Sequence, residues 1–140
     1  MKKLIISYIV FLFAFNAFSQ KITFQLKEKR IHYTDISGND AKLTNITEPT
    51  SSTLTFNIKD STMTLQKNGE TSVTKLSKIS KKGHQYFFES VGNYAIDQSK
   101  SVITYYMIDC KKQVGTEKYA SFCMPNLIHV TDFKGCVLTR

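Results

Sequence analysis

The sequence predicts an all-β domain: an antiparallel meander curved into an open sheet or a small barrel, with a two-sheet β-sandwich as the alternative. Three observations carry this. Residues 20–140 hold 15 Thr and 11 Ser but only three Ala (Ala41, Ala95, Ala120). Thr suits a pleated, half-exposed surface, whereas a helical domain draws heavily on Ala. Short runs alternate apolar and polar residues with a period of two. Turn signals separate those runs, the clearest being Asn68-Gly69, where both residues tolerate the positive φ of a type I′ hairpin. Two Pro and six Gly exclude a collagen-like or broadly disordered chain.

Taken in order, Ile22, Phe24 and Leu26 alternate with polar neighbours as a strand with one wet face. Ile31 and Tyr33 then fall on the other parity, which predicts a bulge or strand end near Glu28. Residues 37–40 form a loop. Leu54, Phe56 and Ile58 mark a second strand, and Met63 and Leu65 a third. A less regular strand runs from Thr71 to about Ile79. Lys82-Gly83 turns the chain into Gln85–Val91, and Tyr94–Ile96 is a short piece between two turns. Ser101–Asp109 is apolar on both parities, as in a strand covered at least in part on both faces. Residues 110–125 are mixed and read as a long loop or a single helical turn. Leu127–Val130 and Cys136–Leu138 are two further short strands, for eight to ten in all. Leu43, Leu54, Leu65, Leu76 and Phe87 recur every 11 residues, the pitch of one strand plus one turn.

The N-terminus reads as a removable export signal. Lys2 and Lys3 precede an uncharged run from Leu4 to Phe15, and Ala17-Phe18-Ser19 places small residues at −3 and −1 of a cut before Gln20. The run is 12 residues long, well short of the roughly 20 that span a bilayer as a helix. The first Cys is Cys110, so no lipid-modified N-terminal Cys arises. The expectation is therefore a cleaved signal at 1–19, a single β-rich domain at 20–140, and no membrane span after cleavage. The short n-region and the Gln start read as bacterial, which places the protein in the periplasm or outside the cell.

The full chain carries a net charge of +8; without Lys2 and Lys3, 17 basic residues face 11 acidic ones. Such a balance often signals nucleic acid, but an exported protein seldom meets it, and the Lys residues are scattered as on a solvated surface. No nucleic-acid partner is expected. The partner is instead a small molecule or a component of the envelope or exterior.

Cys110, Cys123 and Cys136 are evenly spaced, with 12 residues between neighbours. Export permits oxidation, so one disulfide among them, leaving one thiol over, is expected. A Cys₃His zinc site with His129 lacks the close ligand pair that structural zinc sites use, so no metal is expected. No phosphate loop, His-Glu-x-x-His pattern or calcium loop occurs, and no cofactor is implied. Asn45-Ile46-Thr47 matches the glycosylation triplet, a pattern frequent by chance.

The enzyme alternative is a secreted hydrolase using Cys123, His129 and Asp132, a thiol with a base and an orienting carboxylate. Residues three apart on a strand point to opposite faces, which counts against His129 and Asp132 acting together. Glu89, Asp109, Glu117 and Asp132 offer carboxylates without marking a facing pair. The aromatics are the stronger functional signal. Tyr86, Phe88, Tyr94, Tyr105 and Tyr106 crowd the second half and, on neighbouring strands, can wall a cavity for a small apolar ligand. The competing reading is a packed aromatic core. The functional expectation is a binding or interaction module with no catalytic machinery of its own.

Overall fold

The computed structural model describes residues 21–135 and 137–139; the expected signal at 1–19 and Cys136 lie outside the described residues. It contains ten strands and, among the described residues, no helix: β1 (Lys21–Asp35), β2 (Asp40–Asn57), β3 (Thr62–Lys67), β4 (Glu70–Lys75), β5 (Lys78–Lys82), β6 (Gln85–Asn93), β7 (Ser101–Asp109), β8 (Val114–Ala120), β9 (Leu127–Lys134) and β10 (Val137–Thr139). They form one sheet in the order β4-β3-β2-β1-β9-β8-β7-β6-β5, with β10 on β1, and every pairing is antiparallel. The sheet is strongly curled into a half-barrel, so the curved-sheet expectation holds and the sandwich does not.

The curl follows from where the apolar residues point. Ile22, Phe24 and Leu26 of β1, Leu54 and Phe56 of β2, Tyr86 and Phe88 of β6, and Tyr106 and Ile108 of β7 form one buried cluster. Phe56 and Phe88 stack at 4.3 Å although three other strands and β1 separate β2 from β6 in the sheet. Only a sheet rolled onto its own inner face brings them together. Phe24 and Tyr106 set their edges against Phe56 at 6.1 and 5.5 Å. Burying each such ring stabilises the fold by about 1.5–3 kcal/mol.

Two local devices shape this curl. The register between β1 and β2 shifts between Leu26 and Glu28, where the parity change predicted a bulge. Past this irregularity, where one β1 residue lies opposite two of β2, Ile31 and Tyr33 fall on the inner face that Phe24 and Leu26 occupy. Gly135 separates β9 from β10, which pair with different stretches of β1. Its φ is +88°, and a Cβ there would sit 2.9 Å from the Gln25 carbonyl oxygen, so only Gly fits.

Several expected elements differ in detail. The strand read from Thr71 to Ile79 is two strands, because at Leu76-Ser77 the chain crosses from one sheet edge to the other. There Leu76 N–H donates to the Ser61 carbonyl and Ser77 N–H to that of Glu89. Residues 110–125 contain β8, whose Gly, Thr, Glu and Lys hide a strand behind helix-neutral composition. Tyr94–Ile96 lies in a loop, and β2 reaches back to Asp40 through a polar stretch. Asn68 and Gly69 have φ of +52° and +81°, as a type I′ turn requires. On β7 one parity is buried and the other is largely open: Tyr105 is 52% exposed and Tyr106 only 7%.

Candidate functional site

Register partners share a face of the sheet. Tyr33 on β1, His129 on β9, Tyr119 on β8 and Thr104 on β7 are successive partners, so they form a row across the inner face near one end of the half-barrel. The row is aromatic: His129 stacks on Tyr119 at 4.5 Å and receives Tyr33 edge-on at 5.3 Å. Burial pushes the His129 pKa down, helped by the positive charges of His32 and Lys29, so the ring is neutral at physiological pH. Its Nδ1 is buried and, among the described residues, has no hydrogen-bond partner.

Two loops close over this row. The β6–β7 loop is held by Tyr94 N–H donating to the Lys100 carbonyl (3.0 Å) and by an Asp97 turn. In that turn the carboxylate accepts from the Ser99 hydroxyl at 2.6 Å and from its N–H at 3.0 Å, which keeps the Asp97 pKa low. The β8–β9 loop is held by Ser121 N–H to Leu127 and Leu127 N–H to Met124, both 2.9 Å. The loops also grip each other. The Tyr94 hydroxyl donates to the Ala120 carbonyl at 2.8 Å, the Tyr94 and Phe122 rings lie 5.1 Å apart, and the Lys100 ammonium sits 5.1 Å above Phe122. Between loops and sheet remains a cleft of about 340 Å³ walled by Tyr33, Tyr94, Ile96, Val102, Tyr119, Phe122, Met124 and His129, with Cys123 also on its lining.

Deeper along the same face the lining turns polar. Glu117 of β8 stands between Tyr106 and Thr131, and Lys29, Ser52, Tyr119 and His129 share its cavity of about 370 Å³. Burial raises the Glu117 pKa, while the Tyr106 hydroxyl and the Lys29 charge oppose the rise. Burial and the neighbouring Glu117 push the Tyr106 and Tyr119 hydroxyls up as well.

The outer face carries a third concavity, about 480 Å³, lined by Phe87, Tyr105, Met107, Lys118 and Val130, with Gly38 of the β1–β2 turn at one side. At its edge His32 Nε2 lies 2.9 Å from Asp132 Oδ2, and the Thr116 hydroxyl donates to Asp132 Oδ1 at 2.9 Å. Three strands are thereby tied by one carboxylate. Both its oxygens are engaged, so this cleft has fewer polar groups aimed at a ligand than its size suggests.

The residues expected to bind are divided among these places. Tyr86, Phe88 and Tyr106 belong to the packed core, and Phe88 and Tyr106 also line the outer cleft. Tyr105 stands on the outer face, and Tyr94 walls the inner cleft. The five do not share one cavity. Cys123, His129 and Asp132 are not brought together either: His129 and Cys123 line the inner cleft, while Asp132 points outward to His32. The expected disulfide is not formed between Cys110 and Cys123. They sit at opposite ends of β8, whose seven residues extend about 23 Å, far beyond the span a disulfide tolerates. Cys136 lies outside the described residues.

Sequence reasoning passed over Phe122 and Tyr33 as site residues and named Glu117 only as one of four carboxylates. Phe122 sits in a loop without periodicity, and Tyr33 joins the row only because a bulge corrects its parity. Glu117 is one carboxylate among many until β8 is known to be a strand and its register fixed.

Comparison with family models, with characterised proteins and with solved structures found no significant match.

Proposed function

We propose that the protein is an exported, non-catalytic binding module that holds a small, mainly apolar ligand in the inner cleft between the aromatic row and the two loops. One observation carries this reading: the loops are fastened to the sheet and to each other by Tyr94, Phe122 and Lys100, yet they leave an aromatic-walled space of about 340 Å³. Ligand pockets favour such a shape, at the mouth of a β-barrel with a few polar groups among rings. Loops already held in place lose little entropy when a ligand arrives. Tyr33 and Tyr119 hydroxyls and the neutral His129 supply the polar contacts that orient it. Export is supported by Lys2-Lys3, the apolar run from Leu4 to Phe15 and the small residues before Gln20.

The test uses N-phenyl-1-naphthylamine, a neutral dye whose fluorescence rises in apolar surroundings. The protein should bind it saturably, Phe122→Ala should weaken binding, and Tyr105→Ala on the outer face should not. Equal binding by both variants and the parent protein would contradict the reading.

A second reading is favoured by the outer face of β6 and β7, where Val91 and Ile103 stand opposite each other, both exposed, beside Tyr105. An apolar strip of this kind suits a protein partner. Unchanged dye binding in Phe122→Ala, together with weakened binding in Tyr105→Ala, would favour it.

A further inference from the structure

The inner face is unevenly filled. Around Phe24, Phe56 and Phe88 it is packed with rings, as a barrel interior should be. Further across the same face, Glu117 and Thr131, successive partners in the row of Phe88 and Tyr106, line with Ser52 an open space of about 370 Å³. Burying a carboxylate is costly unless a charge or several donors compensate it. Among the described residues the ion pairs are Lys29–Glu48, Arg30–Asp40, His32–Asp132 and Lys134–Glu28, and none includes Glu117.

We propose that this polar half is a second binding site, for a small organic cation: its ammonium group pairs with Glu117, and its hydrocarbon body lies on Leu54, Met63 and Phe133. The site adjoins the inner cleft at the loops, sharing Tyr119 and His129 with it, but its ammonium-binding group, Glu117, lines only the deeper cavity.

The charges around the cavity support a cation. Lys29 lines the same cavity and its charge favours the Glu117 carboxylate, but it is shared with Glu48 at 3.3 Å. Lys67 belongs to the exposed rim, where water screens it. His129 adds no positive charge, since burial keeps it neutral. The half-buried Glu117 carboxylate has no ion pair of its own among the described residues and shares the Lys29 cation with Glu48. The hydroxyl of Tyr106, its register partner, favours the charged form without neutralising it. Beside it the stacked Tyr119 and His129 rings present π faces and edges, and an ammonium group is attracted to a tyrosine face. The apolar wall of Leu54, Met63 and Phe133 gives the rest of the molecule a surface out of water.

Three probes with one hydrocarbon body separate the alternatives: 2-phenylethylammonium, 2-phenylethanol and 3-phenylpropionate. Each is titrated into the purified protein while backbone amide shifts are followed. The ammonium should bind about tenfold or more tighter than the alcohol or the carboxylate, the gain expected of a charge-assisted hydrogen bond in a partly buried site. Its shifts should centre on Glu117, Tyr119 and Thr131, and Glu117→Gln should reduce its affinity to that of the alcohol. Equal binding of the three, preference for the carboxylate, no binding, or shifts confined to Tyr94 and Phe122 would each overturn the proposal. Should Glu117→Gln fail to fold, the ranking of the three probes on the parent protein decides the matter.

Discussion

His32 and Asp132, 100 residues apart in the chain, meet on the outer face with Nε2 and Oδ2 2.9 Å apart. The Thr116 hydroxyl takes the other carboxylate oxygen, so β1, β9 and β8 are joined by one side chain. The His32 side chain is only 12% exposed, against 41% for Asp132. Facing a carboxylate, Nε2–H donates to Asp132, and the buried Nδ1 has no partner among the described residues.

This tie predicts a stability effect with little effect on binding at the inner cleft. Asp132→Ala leaves the Thr116 hydroxyl and the enclosed imidazole without their acceptor, a loss of about 1–3 kcal/mol. Urea unfolding should show a lower midpoint with an unchanged slope, and His32→Ala combined with Asp132→Ala should cost less than the two singles summed. Strict additivity would show that the pair contributes nothing as a pair.

Glu117 predicts a pH-dependent effect of the opposite sign. Its folded pKa lies above the ordinary value of 4.5 because burial disfavours the charge. Below the unfolded value both states are protonated, and the stability that protonation gives is fully present. As pH rises through the raised folded value, the half-buried carboxylate charges and that stability is lost. Glu117→Gln is spared this loss. The variant should melt higher than the parent at about pH 8, by about 4 °C if the penalty is about 1 kcal/mol. The gap should close as pH falls below the unfolded value. A variant that melts lower at alkaline pH would show the carboxylate to be well compensated in the folded protein.

Cys123 gives a chemical handle on the inner cleft. It is exposed and lies on the cleft lining, while Cys110 packs against the core beyond the far end of β8. A bulky maleimide should therefore attach to Cys123 in the folded protein and abolish uptake of N-phenyl-1-naphthylamine. Peptide mapping without reduction should find no Cys110–Cys123 link. Full dye binding after stoichiometric labelling at Cys123 would place the dye elsewhere.

Much of this fold is legible in the chain because alternation, turn chemistry and burial agree. Phe24, Phe56 and Phe88 each sit on the apolar parity of a clear strand, and Asn68-Gly69 fixes a hairpin by backbone sterics alone. The site is less legible because it depends on register. Tyr33, His129 and Tyr119 form a row only through pairings across three strands, one of which, β8, carries no apolar alternation. Tyr105 and Tyr106 illustrate the same limit. Period two says that they face opposite ways, but not which of the two faces the core. The answer depends on Phe88 opposite Tyr106, and on Phe56 across the interior.

The most direct test of the central claim is a backbone amide shift map of the protein titrated with N-phenyl-1-naphthylamine. A ligand held between the aromatic row and the loops should move the amides of Tyr33, Tyr94, Ile96, Tyr119 and Phe122 with one saturating curve, leaving Phe87 and Met107 still. Shifts centred on Phe87, Tyr105 and Met107, or no saturable shift at all, would contradict a binding site at the inner cleft.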